Sequence, residues 1–282
     1  MGNPEKSACV EVLQQAASLI RRTGRMVLTE DSTANSFSLK MPIERDVVSL
    51  ARKTDLVLVF GGDGTMLRVA REIAGARTPI LGINIGGLGF LTGVPSGDLK
   101  HALTQIWQGD YTFEPRALLQ ATVECGKTKL RAAALNDVVI SRSGTSRLID
   151  LDVAVDGEPL TRYRCDGLIV SSPTGSTAYS LAAGGAVVHP TAKVIALTPI
   201  CPHTLSNRSL VLPLTSTVEI QAANPKPATV LSVDGDLTCE LDAGDKILIR
   251  QSQRTVRLMH LAGSSFYKAL RRKLHWRGTN LT

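Results

Sequence analysis

A glycine-rich turn between a strand pattern and a helix pattern is the feature that most constrains this chain. It lies in the stretch DLVLVFGGDGTMLRVAREIA, which begins at Asp55. The apolar run at residues 56–60 predicts a buried strand, and apolar residues at helical spacing over residues 66–73 predict a helix. Glycines between the two let backbone N–H groups approach a ligand closely, at a helix N-terminus that favours anions. The sequence therefore predicts a phosphate-binding turn within an α/β domain.

Asp63 is the unusual residue of this turn. A carboxylate beside phosphate groups is repelled unless a cation bridges the two or the carboxylate accepts a proton. We therefore interpret Asp63 as a candidate proton acceptor. The alternative is that Asp63 or Thr65 caps the helix, which both residue types do well. The turn lacks the Gly-Lys-Ser/Thr sequence of a Walker A loop, which excludes that class of phosphate site.

A second glycine-rich turn follows the next strand pattern. Residues 80–85 predict another buried strand, and the sequence GGLGFLT follows it from Gly86 to Thr92. Open α/β sheets bind ligands at the carboxyl ends of their strands. We therefore expect both glycine turns at one edge of the sheet, where they would form a cleft. An ordinary tight turn is the alternative.

The chain before these turns predicts an incomplete α/β domain. Patterns predict a helix at residues 6–23, a short strand at 25–29, an irregular connection at 31–41 and a helix from 42 to 53. A parallel α/β domain normally opens with a strand, whereas this chain begins almost directly in a helix. We therefore expect that the first edge strand is missing or that the start of the chain is shortened.

The pattern changes to short β-rich segments near Tyr111. Turn sequences such as Asp156-Gly157 and Asp234-Gly235 separate them. The predicted strands are residues 118–124, 130–134, 136–141, 149–155, 168–171, 216–222, 229–233, 246–250 and 255–261. This half is therefore predicted to be a mainly β domain, which excludes one continuous doubly wound sheet. Residues 264–276 predict a helix with one basic face, and such faces are usually exposed to solvent.

Composition limits the class of partner. The net charge of +7 and pI near 9.3 suit polyanionic ligands, but basic and aromatic residues do not interleave as a nucleic-acid surface needs. The sequence shows neither a signal-peptide pattern nor an apolar run of membrane-spanning length, so we expect a soluble cytoplasmic protein without membrane partners. The five cysteines form no Cys-x-x-Cys pair and the five histidines show no ligand spacing, which favours free thiols and no structural zinc.

Two polar segments of the second half are candidate binding sites. Asn136 and Asp137 combine the donors and acceptors that sugar hydroxyls need, although Asn-Asp also favours a hairpin turn. The stretch RYRCDGLIVSSPTGSTAYSLAAGG, at residues 162–185, predicts a buried strand and then a hydroxyl-rich turn into a helix near Thr177. Its hydroxyls and free N–H groups could meet a heterocycle edge or a phosphate. Tyr179 could stack on a ring or fill the core.

These motifs resemble those of a known kinase family. GGDGT resembles a signature shared by NAD kinases, diacylglycerol and sphingosine kinases and, more loosely, phosphofructokinases. The DG, strand and PTGSTAYS combination is similar to the second signature of NAD kinases, which the lipid kinases lack. Further matching blocks are GGLGFL at residues 86–91, ND at 136–137, PHTLS at 202–206, SVDG at 232–235 and LRRKLHW at 270–276. The chain therefore resembles the NAD kinase family from residue 55 to residue 276.

The resemblance implies a fold and a reaction. The fold is α/β plus β-rich: a Rossmann-like α/β domain at residues 1–112, a mainly β, NAD-binding domain at 113–262, and a C-terminal helix and tail at 263–282 that return to the first domain. The reaction transfers the γ-phosphoryl group of ATP to the 2′-hydroxyl of the adenosine ribose of NAD, giving NADP. Mg²⁺ is implied as the divalent metal, bound mainly through ATP, with Asp63 as the candidate protein ligand. NAD and ATP are the implied partners, and a homodimer or homotetramer the implied assembly.

The resemblance also implies roles for single residues. Asp63 would accept the proton, Asn136 and Asp137 would hold the nicotinamide-side ribose, and Asp166 with the turn at 177–182 would cradle the nucleotide portions of the substrate. The substrate-binding residues so predicted are Gly61, Gly62, Gly64, Thr65, Arg68, Phe90, Asn136, Asp137, Arg147, Arg164, Asp166, Ser176, Thr177, Ala178, Tyr179, Ser180, Leu181, Ala182 and Asp236. The chain departs from the family in its first strand and in Asp137, where many relatives have Glu.

Two other functions share some of these features. A diacylglycerol-type lipid kinase has the same glycine cradle, but it needs an apolar entry for acyl chains. A nucleotide-binding regulator would bind NAD without forming NADP, and the unusual N-terminus is the feature that favours it.

Overall fold

The computed structural model describes residues 1–2, 8–37, 41–87, 89–125, 128–144, 147–203, 208–223 and 229–276. The chain forms two compact units, one of Met1–Pro115 together with Thr255–Thr282 and one of Arg116–Arg254. The chain therefore leaves the first unit at Pro115 and re-enters it at Thr255, whereas the sequence placed these boundaries at residues 113 and 263.

The described residues include seven α-helices and seventeen strands. The helices are α1 (Ala8–Arg21), α2 (Asp31–Phe37), α3 (Val47–Lys53), α4 (Asp63–Glu72), α5 (Leu99–Gln108), α6 (Tyr179–Ala182) and α7 (Phe266–Lys273). The strands are β1 (Thr29–Glu30), β2 (Ile43–Glu44), β3 (Val57–Gly61), β4 (Ile80–Asn84), β5 (Val94–Pro95), β6 (Tyr111–Cys125), β7 (Thr128–Ala134), β8 (Asp137–Arg142), β9 (Ile149–Val155), β10 (Glu158–Cys165), β11 (Gly167–Ser171), β12 (Val194–Ile200), β13 (Leu210–Pro213), β14 (Val218–Ala222), β15 (Thr229–Val233), β16 (Asp236–Leu241) and β17 (Lys246–Leu261). None of these helices has the length and apolar character that crossing a membrane requires.

A short parallel sheet organises the first unit. β3 and β4 pair in parallel from Val57 with Ile80 to Gly61 with Asn84, and β4 also pairs in parallel with β5 and with Leu258 of β17. β4 is buried along its whole length, as strands covered on both faces are. Gly2 forms a parallel bridge with Phe60, so the first residues of the chain lie along β3, where the sequence led us to expect a missing edge strand.

Helices pack on this sheet through apolar side chains. Leu13 and Ala16 of α1 and Leu103 of α5 share one core cluster with Phe60 and Ile83 of the strands. Local signals fix the helix ends. The Asp46 carboxylate accepts from the Ser49 N–H at 2.7 Å and so caps α3. Gly109 ends α5 in the left-handed conformation, at a φ of 81°.

The second unit is built from antiparallel strands. One sheet has the order β13-β12-β11-β8-β15-β16. In the other, β9 lies between β10 and β14, and β14 pairs with the start of β17. The core takes buried side chains from both sheets, including Ile140 and Leu168 of the first and Leu151 and Ile220 of the second. The α/β plus β-rich fold class is therefore confirmed.

Several local predictions were wrong. Residues 31–41 were expected to be irregular, but they contain α2. The hydroxyls of Ser32 and Thr33 donate to the nearby Glu30 carboxylate, and Phe37 is buried in the core of the first unit, so local hydrogen bonds and burial hold a helix that its polar sequence does not favour. The segments at 246–250 and 255–261 form the single strand β17. Strands β2, β5, β10, β12, β13 and β16 were not predicted.

Candidate functional site

The GGDGT turn lies between β3 and α4. β3 ends at Gly61, and Asp63 is the first residue of the helix. The N-cap residue of α4 is Gly62, which has no side chain to cap the helix. The Asp63 carboxylate bonds elsewhere, so the capping alternative is wrong for this residue.

Both glycine turns meet at the Asp63 carboxylate. Its Oδ2 accepts from the backbone N–H of Phe90 at 2.8 Å, and its Oδ1 accepts from those of Leu91 and Thr92 at 3.1 Å each. The Thr92 hydroxyl also donates to Oδ1, at 3.2 Å. Donors to an anionic carboxylate give stronger hydrogen bonds than neutral pairs do. Asp63 therefore holds the second glycine turn against the first.

Close packing explains a glycine in the second turn. A Cβ at Gly89 would overlap the Asp63 carboxylate. It would also lie 2.6 Å from the Thr92 hydroxyl oxygen, which is too close for a carbon atom. Within this turn, the buried Asn84 at the end of β4 donates from Nδ2 to the Gly87 carbonyl at 2.9 Å and to the Thr92 hydroxyl at 2.7 Å. Asn84 and Thr92 were not among the predicted site residues. Thr92 lies within the GGLGFLT block, which the sequence analysis identified. Its hydrogen bond to Asp63 could not be predicted from the sequence.

Two further predicted residues of the first unit have protein partners. The Arg68 guanidinium lies 3.2 Å from the Glu72 carboxylate and 3.9 Å from that of Glu30. The Phe90 ring centroid lies 5.9 Å from Lys273 Nζ, within the range of a cation–π contact. Lys273 is the last residue of α7, so this contact places the end of the C-terminal helix beside the second glycine turn.

Asn136 and Asp137 of the second unit are held through their backbone. The Asp234 carboxylate accepts from the N–H groups of Leu135, Asn136 and Asp137 at 2.9, 2.8 and 3.1 Å. Asp234 has a φ of 51°, which its Asp-Gly turn requires. Asp234 belongs to the SVDG block at residues 232–235, but no local pattern indicates this role.

The Asp137 side chain is a buried carboxyl group. It is 4% exposed. Burial, and secondly the charge of Asp234, raise the pKa of Asp137 to about 7. A carboxyl group that keeps its proton near neutral pH can donate a hydrogen bond as well as accept one. Such a group suits a sugar hydroxyl.

The hydroxyls of the PTGSTAYS turn mostly hold the turn itself. The buried Ser176 hydroxyl donates to the Pro173 carbonyl at 2.8 Å and accepts from the Val188 N–H at 3.0 Å. The buried Ser180 hydroxyl lies 3.0 Å from that of Thr198. Their side chains are thus committed to the fold, which leaves backbone groups and the more exposed members of the turn for a ligand.

The remaining members of this turn are more accessible. Thr174–Thr177 forms a 3-10 turn and α6 follows it. Tyr179 is 47% exposed, so the alternative that it fills the core is wrong. Among the predicted binding residues of this segment, those at least partly exposed are Thr177, Ala178, Tyr179, Leu181 and Ala182.

Asp166 forms an ion pair that the sequence did not reveal. Its Oδ1 accepts from Arg142 Nε at 2.7 Å, and both side chains are partly exposed. Arg164 and Arg147 are exposed, as is Asp236 at the start of β16. Residues 204–206 of the predicted PHTLS block lie outside the described residues. No group of three or more His, Cys, Asp or Glu side chains that could hold a metal occurs in the described part of the chain.

Family models match both halves of the chain. Residues 1–111 match the ATP-NAD kinase N-terminal domain, and residues 135–261 match the ATP-NAD kinase C-terminal domain. The chain belongs to the ATP-NAD kinase family. Lipid kinases share the GGDGT motif, but the two matches assign this chain to the ATP-NAD kinases.

Relatives with curated names agree with the family models. An NAD kinase of Ralstonia nicotianae is 43% identical over 265 residues, which cover 94% of this chain and 87% of the relative. An NAD kinase of Thiobacillus denitrificans is 42% identical over 261 residues, which cover 92% of this chain and 90% of the relative. The match therefore extends over nearly the whole of both proteins.

Solved structures have the same fold. The crystal structure of yeast NADH kinase complexed with NADH superposes with a TM-score of 0.90 at 26% identity, over 100% of this chain and 88% of the yeast chain. An NAD kinase from Archaeoglobus fulgidus in complex with ATP gives a TM-score of 0.67 at 24% identity, over 89% of this chain and 98% of the other. The second comparison bears on the fold alone.

Proposed function

We propose that this ATP-NAD kinase family member transfers the γ-phosphoryl group of ATP to the 2′-hydroxyl of the adenosine ribose of NAD and so forms NADP. The observation that carries this proposal is the match of both halves of the chain to the two domains of one kinase family. The names of the relatives support it, as does the acidic residue at the centre of the glycine turns.

Asp63 is the proposed proton acceptor. Phosphoryl transfer passes through a loose transition state, so the protein contributes mainly position and neutralisation of charge. The 2′-hydroxyl becomes more acidic as its oxygen bonds to phosphorus, and a positioned carboxylate then takes its proton. The hydrogen bonds from residues 90–92 fix the carboxylate and so support this role. Glycine-turn N–H groups at the start of α4 stabilise the phosphate charge.

Mg²⁺ is the proposed metal. The phosphate groups of ATP supply most of the oxygen ligands that Mg²⁺ prefers, so the protein needs to contribute only one or two carboxylates. Asp63 is the residue of the glycine turns that would hold it. When bound, Mg²⁺ neutralises phosphate charge.

Residues of the second unit are proposed to bind NAD. Asn136 and the buried Asp137 carboxyl group supply donors and acceptors for ribose hydroxyls. Asp166, with the backbone and exposed side chains of residues 177–182, holds the nucleotide portions. Arg147, Arg164 and Asp236 are proposed as further contacts, and their exposure leaves them accessible to a ligand. We further propose a cytoplasmic homodimer or homotetramer.

The decisive experiment is an assay of the purified chain with Mg²⁺-ATP and NAD, with NADP detected by an NADP-specific dehydrogenase. NADP that appears only when both substrates are present supports the proposal. Phosphorylation of diacylglycerol in parallel vesicle assays, without NADP, would support the lipid kinase instead. Binding of NAD in calorimetry without NADP would indicate a regulator.

A further inference from the structure

A chain of hydrogen bonds leads from Asn84 to Asp63 through one hydroxyl group. Asn84 Nδ2 lies 2.7 Å from Thr92 Oγ1, which lies 3.2 Å from Asp63 Oδ1. Asn84 and Thr92 are 2% and 0% exposed. The three residues lie on β4, on the second glycine turn and at the start of α4. These hydrogen bonds therefore connect the end of β4 with the proposed proton acceptor, Asp63.

The direction of each hydrogen bond follows from its partners. The Gly87 carbonyl can only accept, so the Asn84 atom that lies 2.9 Å from it is the amide nitrogen. The same nitrogen faces Thr92 Oγ1, which must accept from it. The single hydroxyl proton of Thr92 is then free to point toward the ionised Asp63 carboxylate, which can only accept. Asn84 thus fixes the orientation of the Thr92 hydroxyl.

The two oxygens of the Asp63 carboxylate are unequally occupied. Oδ1 accepts from the Leu91 N–H, the Thr92 N–H and the Thr92 hydroxyl. Oδ2 accepts from the Phe90 N–H in the described part of the chain. Each carboxylate oxygen has two lone-pair sites, so Oδ1 is saturated and Oδ2 has one site left. Oδ2 is therefore the atom that can take a proton without losing a hydrogen bond.

We propose that Thr92, oriented by Asn84, is a positioning residue whose hydroxyl adds a third donor to Oδ1 of Asp63 and so keeps Oδ2 as the oxygen that accepts the substrate proton. This inference rests on the proposed function of Asp63. Without the hydroxyl, Oδ1 keeps its two backbone donors but loses its side-chain donor, so the carboxylate is held less firmly against rotation about its Cβ–Cγ bond. The active oxygen would then spend less time in the geometry that proton transfer needs.

Thr92→Val tests the role of the hydroxyl with little change of shape. A hydrogen bond to a charged group is lost, so we expect kcat to fall roughly 10- to 100-fold. The KM values for NAD and ATP should stay close to those of the wild type, because the three backbone hydrogen bonds to Asp63 remain. Thr92→Ser keeps the hydroxyl and should restore most of kcat.

Thr54→Val is the matched control. It makes the same chemical change in the same unit, where the hydroxyl donates to the Leu50 carbonyl at 2.8 Å. It should leave kcat unchanged. Thermal unfolding of every variant separates loss of structure from loss of positioning. If Thr92→Val does not fold, Thr92→Ser against Thr92→Ala at a temperature where both are folded supplies the comparison.

A double-mutant cycle with Asp63→Asn shows whether Thr92 acts through the carboxylate. Once Asp63 is an amide, Thr92→Val should have little further effect on kcat. An equal loss in both backgrounds would overturn the inference, as would wild-type kcat or a change confined to KM in Thr92→Val. A wild-type chain that forms no NADP would instead refute the proposed function, so the two failures are distinguishable.

Discussion

Asp234 accepts a hydrogen bond from the backbone N–H of Asp137 at 3.1 Å, and its charge also acts on the Asp137 carboxyl group. Burial of Asp137, and then the charge of Asp234, raise the pKa of Asp137 to about 7. The interaction that organises the backbone at residues 135–137 thus places a second carboxyl group where ionisation is unfavourable. Such a group weakens the folded state and is expected where a ligand needs it.

The pH dependence of stability tests this relationship. The folded-state pKa of Asp137 lies above its unfolded value of 3.8, so between pH 4 and pH 7 the folded state binds the extra proton. The contribution of this group to stability is therefore fully present below pH 4 and is lost as the pH rises to 7, by at most about 1.4 kcal/mol per pH unit. Asp137→Asn removes the group, so the stability of the variant relative to the wild type should rise over this range and level off above it.

Urea unfolding at pH values from 4 to 8 measures the effect. Asp55→Asn makes the same change at an exposed position and is the control. A stability difference for Asp137→Asn that does not vary with pH more than that of Asp55→Asn would contradict the assignment.

Asp234→Asn should lower the free energy of unfolding by roughly 1–3 kcal/mol, because three N–H donors lose an ionised acceptor. Asp156→Asn is a close control. Like Asp234, Asp156 has a positive φ, 52° against 51°, and is followed by a glycine. Its exposed carboxylate, however, accepts from one N–H, that of Thr217. Denaturant unfolding should therefore show a clearly smaller loss for Asp156→Asn. Equal losses would mean that the turn conformation, and not the three hydrogen bonds, carries the effect.

The strands most visible in the sequence were those with strict alternation. β9 and β15 were predicted with the bounds that the structure has, and both alternate between buried and partly buried residues. β17 was predicted as two strands, because the polar residues 251–254 interrupt its apolar pattern. The predicted irregular segment holds α2, which depends on contacts with Glu30. Periodicity thus predicted strands that alternate between buried and partly buried residues, and missed both α2, which polar contacts stabilise, and β12, which is buried almost throughout.

The same limit applies to the candidate site. Glycines that let backbone N–H groups approach a ligand, and acidic residues beside an expected phosphate or sugar, marked the candidate positions. The partners Thr92 of Asp63, Asp234 of Asp137 and Arg142 of Asp166 lie 29, 97 and 24 residues away along the chain. No local pattern encodes such pairs, so they became visible only in the folded chain.

Asp63→Asn should lower turnover by roughly 10²- to 10⁴-fold, the usual range for loss of a general base. Steady-state formation of NADP measures it. The amide keeps the size of the side chain, and its oxygen can still accept from part of the second turn, so the variant should fold. Asp98→Asn, at an exposed position before α5, is the control for the same chemical change. Near-normal turnover in Asp63→Asn would mean that the carboxylate only holds the two turns together.

Gly89→Ala should reduce both stability and activity, because its Cβ would occupy the space of the Asp63 carboxylate. Either the carboxylate or the second turn must move, and overpacking of this kind costs about 1–3 kcal/mol. Gly93→Ala is the matched control, since a Cβ there meets no atom within 4 Å. We expect a lower unfolding midpoint and at least about a tenfold loss of kcat for Gly89→Ala alone, as a displaced base loses its geometry. If Gly89→Ala were as active and stable as Gly93→Ala, Asp63 would not need its contacts with the second turn, and the carboxylate would have to be positioned by α4 alone.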